Sequence, residues 1–350
     1  MDTERARTQR SRAHSPQADV PGNVSVIIVN WNGGDYLFSC LAALRQQTLR
    51  PAEVVVVDNA SADGSAAVAR ERFPEVRMIQ TGANLGFAAG VNVGLRSSTG
   101  QLVALLNPDA VPEPGWLEAL VDGIEQGHDV GMAASLMLFA DQPDVINSAG
   151  IALNVLGIAW DYLGGASVSA GLQPQEVFGP CAGAALYRRD MLEQLGGFDE
   201  DFFMYLEDVD LAWRAQAAGW RCRYVPGARV YHAHSASAGE GSDFKNFYKA
   251  RNKVWLVAKN YPWPQLALWG PLILAYDVLA VAFVCRHGQL APLRGRIAAL
   301  RGLGHVLGKR RLCADRKPSG WFAVRRLMWG VEGPRTIAKR YAHLATRVAR

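Results

Sequence analysis

The 350-residue sequence lacks the cysteine patterns of disulfide-stabilised and zinc-binding proteins. Its five cysteines, Cys40, Cys181, Cys222, Cys285 and Cys313, are widely spaced and never form a Cys-x-x-Cys pair. A disulfide framework or a zinc knuckle needs paired cysteines at short spacing. The pattern argues against both and favours a reducing compartment.

The sequence also lacks the glycine-rich loops of two large nucleotide-binding classes. The glycine-rich turn at residues 84–90 does not have Gly-x-Gly-x-x-Gly spacing, and Gly-Lys-Ser/Thr does not occur. The first pattern lets a backbone approach a dinucleotide, and the second cradles the phosphates of a nucleoside triphosphate. Their absence argues against a dinucleotide-dependent dehydrogenase and a P-loop NTPase.

The first 22 residues lack the apolar run that a signal peptide requires. This segment is polar, rich in arginine and contains Pro16 and Pro21. We expect residues 1–22 to form a disordered tail.

Acidic residues are scarce at the opposite end of the chain. Residues 286–350 contain 16 Lys and Arg against two acids, a net charge of +14, whereas residues 1–285 have a net charge of −9. A basic segment attached to an acidic body predicts an anionic partner surface. Anionic lipid is favoured and nucleic acid is not, because no nucleic-acid recognition motif accompanies the charge.

Apolar runs alternate with helix-like segments from residue 24 onward, which is typical of βαβ units. The predicted strands cover residues 24–29, 53–57, 76–79 and 101–106. Right-handed crossovers place the carboxyl ends of such strands on one edge of a parallel sheet, where α/β proteins bind ligands. Asn30, Asp58 and Asp109 follow three of these strands, so they are predicted to line one rim.

The middle of the chain has a less regular pattern. Residues 140–178 read as a loop-rich region, and residues 179–187 as a strand of small residues where a ligand can approach the backbone. Glu207 and Asp208 open a predicted helix, where acids either complement the helix dipole or carry function. A short edge strand then leads from residue 225 to His232 and His234, which are candidates for metal ligation.

The C-terminal third contains two predicted helical segments. Residues 244–258 combine an apolar stripe with a lysine face, which suits either an ordinary surface helix or a membrane-binding amphipathic helix. Residues 265–285 are almost wholly apolar and just reach the roughly 20 residues that cross a bilayer. Asp277 near their middle would cost about 2.5–3.5 kcal/mol there, and Gly270-Pro271 would kink the helix. We therefore expect a re-entrant or interfacial helical hairpin in place of a span.

Seven motifs, in their order and spacing, resemble those of the inverting glycosyltransferases of family 2. They are VSVIIVNWN (24–32), VDNAS (57–61), NLGFAAGVN (84–92), LLNPD (105–109), GGFDE (196–200), EDVDL (207–211) and VYH (230–232). The resemblance is strongest to bacterial enzymes that build rhamnose-containing or similar surface polysaccharides. It implies a GT-A fold over residues 23–240, an α/β, Rossmann-like architecture with a mostly parallel sheet flanked by helices.

The resemblance ends near residue 240, and the apolar and basic composition of the remaining chain predicts its location. Residues 241–350 would form a helical, basic and apolar membrane-associating region. The enzyme would then be peripheral or monotopic at the cytoplasmic face of the cell membrane. Its donor would be a UDP-, dTDP- or GDP-linked sugar, and its acceptor a glycan or a polyprenyl-linked glycan.

The family's nucleotide-binding roles transfer to the matching positions of this sequence. Asp58 would contact the base or ribose of the donor nucleotide, with Asn30 and Asn32 nearby. Asn84 and Asn92 would frame the nucleotide site.

The family's metal site transfers with one change. Asp109 is the remaining acid of the Asp-x-Asp motif, whose first position is Asn107 here. Many relatives carry this form too, so it does not imply a loss of activity, but it should make metal affinity depend more on the donor diphosphate. His232 would complete the site, whereas His234 does not match the family position. Mn²⁺ or Mg²⁺ is the expected cofactor, and the imidazole favours manganese.

The family's catalytic carboxylates correspond to the Glu-Asp pair. Asp208 would be the general base and Glu207 would support the acceptor. A base positioned on the acceptor hydroxyl increases the rate about 10²–10⁴-fold. Because it works from the side opposite the leaving diphosphate, a single displacement inverts the anomeric carbon.

Two alternatives remain open from the sequence. A nucleotidyltransferase acting on sugar phosphates would need a cationic phosphate loop, which residues 30–34 do not provide. A non-catalytic sugar-nucleotide-binding scaffold would not need the retained Asp109, Asp208 and His232.

Overall fold

A computed structural model of the chain describes residues 23–233, 242–314 and 319–332. The expectations for residues 1–22, His234 and the last 18 residues lie outside these ranges. The first half alternates strands and helices as the sequence predicts. Its elements are β1 (Val24–Asn30), α1 (Gly34–Arg45), β2 (Glu53–Asp58), α2 (Ser65–Arg72), β3 (Arg77–Gln80), α3 (Phe87–Arg96), β4 (Leu102–Leu106), β5 (Ala110–Pro112) and α4 (Trp116–Ile124).

The second half of the chain adds strands to the sheet and then a group of helices. Its central elements are β6 (Val130–Phe139), β7 (Gln142–Ser148), β8 (Ile151–Asn154), β9 (Ala159–Asp161), β10 (Gln175–Val177), β11 (Ala184–Arg188), α5 (Arg189–Leu195), α6 (Glu207–Ala218) and β12 (Arg221–His232). The C-terminal elements are α7 (Asp243–Asn260), α8 (Trp263–Arg286), α9 (Ala291–Arg301), α10 (Leu303–Ala314), α11 (Ser319–Leu327) and β13 (Met328–Trp329).

The main sheet of the described residues has ten strands, and most of them are parallel. Eight follow the order β10-β12-β6-β11-β4-β1-β2-β3, while β5 pairs with β12 and β7 with β6. β1 to β4 are mutually parallel, and β11 enters antiparallel between β4 and β6. The predicted α/β class with a mostly parallel sheet is therefore confirmed.

Helices cover both faces of this sheet because its strands are apolar on both sides. In β1, Val26 and Ile28 belong to the core under α1 and α4, while Ile27 and Val29 belong to the core under α3 and α6. α3 lies very close to β1, since a Cβ on Gly94 would lie 2.4 Å from Ile27 Cγ2. This close packing brings the turn before α3 to the carboxyl end of β1.

Two expectations about the middle of the chain are wrong. Residues 140–178 are not mainly loop, because they contain β7 to β10, and β8 and β9 form a second, three-stranded sheet with β13. The segment before His232 is not a short edge strand, because β12 has 12 residues and lies between β10 and β6. The sequence hid its length because Pro226 and Gly227 fall in a register shift between Val225 and Arg229.

The expected hairpin at residues 265–285 is also wrong. α8 is one continuous helix of 24 residues with Pro271 inside it, and it is long and apolar enough to cross a membrane. A proline removes one backbone hydrogen bond, which a long helix tolerates with a local bend. Asp277 faces the protein, where it accepts from Lys253 Nζ at 2.8 Å and Arg296 Nη2 at 2.9 Å.

Candidate active site

An open cleft of about 300 Å³ lies at the carboxyl ends of β1, β2 and β4. One wall is formed by the residues that follow these strands, and the other by the start of α6 and one face of α7. Six of the predicted site residues line it: Asn84, Asn107, Asp109, Glu207, Asp208 and His232. The structure therefore brings together motifs that are more than 120 residues apart in the sequence.

Backbone pairing places Asp109 beside His232. In the antiparallel pair of β5 and β12, Ala110 lies opposite His232, and Ala233 N donates to Asp109 O at 3.0 Å. The two side chains are buried, with His232 Nε2 3.2 Å from Asp109 Oδ1. Two ligands of one cation, each at about 2.1 Å, lie at a similar separation.

Asn147 on β7 orients this histidine, and sequence reasoning missed it. Asn147 Oδ1 lies 2.9 Å from His232 Nδ1. Because an amide oxygen only accepts, this contact places a proton on Nδ1 and leaves Nε2 facing the Asp109 carboxylate. Two lone pairs at this distance need a proton or a cation between them, and a divalent cation fits this donor set.

The remaining ligands of such a cation would not come from these side chains alone. Across the three described ranges, no group of three or more His, Cys, Asp and Glu side chains is placed to hold a metal ion. Asn107, which replaces the first acid of the motif, lines the cleft near Gly183. A Cβ added to Gly183 would lie 3.1 Å from Asn107 Nδ2. Diphosphate oxygens and water are the ligands that Mg²⁺ and Mn²⁺ usually add in such sites.

The two candidate catalytic carboxylates differ in their surroundings. Asp208 is half-buried and accepts from the backbone N–H groups of Val209 at 2.8 Å and Ala182 at 3.4 Å. Burial raises the pKa of Asp208 to about 6, with a smaller contribution from the negative charge of Asp161. Burial, followed by the charge of Asp208, raises the pKa of Glu207 well above its ordinary value.

A strained backbone segment precedes these carboxylates. Phe203, Tyr205 and Leu206 all have positive φ angles, of 62°, 69° and 65°. Asn252 on α7 holds the segment, because its Nδ2 donates to the carbonyl oxygens of Phe202 at 2.9 Å and Tyr205 at 2.6 Å. The only sequence signal for this role was a polar residue inside an amphipathic helix.

The opposite end of the cleft has the amide-rich lining expected of a nucleotide site. Asn84 Oδ1 accepts from Asn59 Nδ2 at 3.0 Å and from Gly86 N at 2.9 Å. Asn59 lines the cleft directly after β2, one residue beyond the Asp58 that the sequence favoured. Trp31 also lines this end and offers an aromatic ring.

Three predicted nucleotide-binding residues lie just outside the cleft lining. Asn30 pairs in register with Asp58, and its Nδ2 donates to Asp58 Oδ1 at 3.2 Å. Asn32 Oδ1 accepts from Ala62 N at 2.7 Å. In this structure they brace the loops after β1 and β2, and their direct contact with a nucleotide stays a prediction.

Asn92 lies away from the cleft. Its Nδ2 donates to Phe198 O at 2.8 Å and Glu200 Oε1 at 2.9 Å, and its Oδ1 accepts from Phe198 N at 3.0 Å. It therefore braces the segment that leads toward α6. Sequence spacing could not show this, because α3 carries Asn92 more than one turn beyond the cleft.

Two further groups line the cleft that sequence reasoning did not place there. Trp160 and Asp161 of β9 come from the region expected to be loop, and Lys245 and Lys249 come from α7. By contrast, Ala182 and the small residues beside it line the cleft as expected.

Comparisons with known proteins agree with this geometry. Residues 25–196 match the model of the family described as Glycosyl transferase family 2. The chain is 33% identical over 268 residues to an N-acetylglucosaminyl-diphospho-decaprenol L-rhamnosyltransferase of Mycobacterium tuberculosis, covering 68% of this chain and 85% of that protein. It is 25% identical over 310 residues to a low-salt glycan biosynthesis hexosyltransferase of Haloferax volcanii, covering 82% and 93%.

A solved structure shares the fold. The crystal structure of GalNAc-T7 with UDP, GalNAc and Mn²⁺ superposes with a TM-score of 0.55 and 18% sequence identity, covering 67% of this chain and 47% of that one. At this identity the likeness concerns the fold alone. The family match and the mycobacterial relative lead to one conclusion: the chain belongs to glycosyl transferase family 2 and is a sugar-transferring enzyme.

Proposed function

We propose that this enzyme transfers a sugar from a nucleoside-diphosphate sugar to a hydroxyl of a polyprenyl-diphosphate-linked glycan, with inversion of the anomeric carbon. The observation that carries the proposal is the cleft itself, which holds a carboxylate of raised pKa, Asp208, together with the Asp109–His232 pair. The mycobacterial relative, by its name, acts on a lipid-linked diphosphate acceptor.

The residues of the cleft divide the work of this reaction. Asp208 takes the proton of the acceptor hydroxyl, since it lies in the first turn of α6 and lines the cleft. Glu207 holds the acceptor beside it. Asn59 and Asn84 bind the nucleotide at the far end of the cleft.

The metal site fits this division. Asp109 and His232 would hold Mn²⁺ or Mg²⁺, and the cation would neutralise the negative charge that develops on the departing diphosphate. Asn147 keeps the imidazole in the orientation that presents Nε2. The base comes from α6 and the metal ligands from the β5–β12 pair, so proton removal and departure of the diphosphate are served by different elements.

The C-terminal helices support a place on an anionic membrane surface. α8 exposes Leu268 at 69%, Leu274 at 65% and Leu279 at 69% of their surfaces. Exposed arginines, Arg286 and Arg294, flank this face at the end of α8 and on α9. A contiguous apolar surface next to positive charge fits a bilayer interface. We place the enzyme as a peripheral or monotopic protein at the cytoplasmic face.

The test is release of free nucleoside diphosphate by the full-length enzyme. A panel of UDP-, dTDP- and GDP-linked sugars is supplied with Mn²⁺ and a polyprenyl-diphosphate-linked N-acetylglucosamine acceptor. We expect acceptor-dependent release with at least one donor, loss of release after EDTA treatment, and an inverted anomeric configuration by NMR. Donor binding without any release would indicate a scaffold, and pyrophosphate release from a nucleoside triphosphate and a sugar phosphate would indicate a nucleotidyltransferase.

A further inference from the structure

Three lysines form a single row along α7. Lys245, Lys249 and Lys253 are spaced four residues apart, so they share one face of the helix at steps of about 6 Å. Lys245 and Lys249 line the catalytic cleft. Lys253 Nζ donates to Asp277 Oδ1 at 2.8 Å, in the middle of α8. The row therefore runs from the cleft to the helix with the exposed apolar face.

The cleft end of this row contacts the segment that precedes the candidate base. Lys245 Nζ lies 5.7 Å from the centre of the Tyr205 ring, two residues before Glu207. The Tyr205 carbonyl is bound by Asn252 of the same helix at 2.6 Å. The lysines thus line the wall that carries Glu207 and Asp208.

The cation-binding pair and the lysines of the cleft come from different elements. Asp109 and His232 form the pair that fits a cation, which would take the diphosphate of the donor. Lys245 is buried and Lys249 is exposed, and both add a positive charge to the lining of the cleft. Ammonium groups at such a spacing suit an anion with several oxygens, such as a diphosphate.

From these observations, and resting on the proposed function, we propose that Lys245 and Lys249 bind the diphosphate of the lipid-linked acceptor. Its sugar then points toward Asp208, and its hydrocarbon chain leaves along the row toward Lys253 and α8. The donor and the acceptor each contain a diphosphate, so the decisive question is which of the two the lysines contact.

The experiment compares two acceptors in full-length enzyme. One is polyprenyl-diphosphate-linked N-acetylglucosamine, and the other is octyl N-acetylglucosaminide, which has no phosphate. We expect Lys249→Gln to raise the KM for the first acceptor at least about 10-fold, because the variant loses one charge-assisted contact with the diphosphate. The KM for the donor and the rate with the octyl acceptor should stay within about twofold of wild type.

Two further variants complete the experiment. Lys249→Glu should raise the same KM further than Lys249→Gln. Arg50→Gln, which removes an exposed cation before β2 at the opposite edge of the sheet, should leave both acceptors unaffected. Melting temperatures within about 2 °C of wild type would show that the variants are folded.

The outcomes separate this inference from the proposed function. A rise in donor KM with both acceptors would assign the lysines to the donor diphosphate and overturn the inference. Unchanged kinetics in Lys249→Gln and Lys249→Glu would overturn it as well, while leaving the proposed function intact. If wild type releases no nucleoside diphosphate with any donor, the proposed function fails, and the inference fails with it.

Discussion

At the scale of single residues, two adjacent carboxylates occupy different environments at the start of α6. Asp208 receives two backbone N–H groups, which stabilise its anionic form. Glu207 is buried, and its Oε2 has no hydrogen-bond partner among the described residues. Such a difference lets one carboxylate ionise while its neighbour retains a proton. The structure thus provides a physical reason to favour Asp208 as the base.

The first prediction concerns that choice. Asp208→Asn should lower kcat at least about 10²-fold, because the amide does not accept the proton of the acceptor hydroxyl. Donor affinity, measured by calorimetry, should stay close to wild type. Glu207→Gln is the matched control and should lose less kcat. If Asp208→Asn turns over normally and Glu207→Gln does not, the base is Glu207.

The second prediction concerns pH. Because the active base is the anion and the pKa of Asp208 is raised to about 6, activity should fall as the pH drops through 6 and level off above it. The measurement is kcat/KM for the acceptor between about pH 5 and pH 8.5, with saturating donor and metal concentrations. A profile that stays flat across pH 6 would contradict the assignment.

At the scale of elements, α7 holds the backbone that presents these carboxylates. Asn252 binds the carbonyls before α6, and Phe203 in the same segment stacks on Tyr248 of α7 with ring centres 5.1 Å apart. Phe203 also fills the space beside Gly86, whose Cβ would lie 2.5 Å from the ring. The strained segment is therefore held between α7 and the turn that carries Asn84.

The third prediction tests Asn252 as a positioning residue. Asn252→Ala removes the donor that holds the strained segment, so kcat should fall about 10-fold or more with little change in the KM for the donor. Asn260→Ala is the control, because Asn260 lies on the same helix and binds Asp210 at 2.8 Å instead. Equal kcat in the two variants at equal loss of melting temperature would show that Asn252 is merely structural.

At the scale of the whole molecule, the C-terminal helices are tightly bound to the catalytic sheet region. Lys259 of α7 bridges Asp199 at 2.6 Å and Asp210 at 2.8 Å, and all three side chains are almost fully buried. Tyr261 packs on Trp213 of α6 with ring centres 4.8 Å apart. These contacts hold α7 against the catalytic sheet region, and the bond from Lys253 Nζ to Asp277 Oδ1 joins α8 to α7.

The fourth prediction concerns the exposed apolar face of α8. Full-length enzyme should sediment with anionic lipid vesicles, and the triple variant Leu268→Gln, Leu274→Gln, Leu279→Gln should remain in the supernatant. Salt should weaken the association of the wild type without abolishing it, because apolar insertion is not screened. Leu172→Gln, which changes an exposed leucine outside the C-terminal helices, should behave as wild type. Full-length enzyme that ignores vesicles at low salt would contradict the prediction.

The sequence by itself determined the parts of this protein that depend on local pattern. The strands up to β4 and the helices between them follow from apolar runs with short polar turns, since each βαβ unit completes itself within about 30 residues. The placement of Asp109 at the carboxyl edge of the sheet follows from the same pattern, whereas the place of the Glu207-Asp208 pair followed from the resemblance of its motif. These predictions needed no knowledge of distant partners.

Only the tertiary structure decided the rest, because it depends on partners far away in the chain. β8 and β9 have four and three residues and exist as a sheet through pairing with one another and with β13. Asn147 is an orienting residue only because β7 and β12 both pair with β6. Asp277 argued against a membrane helix by its charge, yet Lys253 and Arg296 neutralise it on the side away from the exposed apolar face. A polar residue's role is set by the groups that fold against it, and these do not appear in its neighbouring sequence.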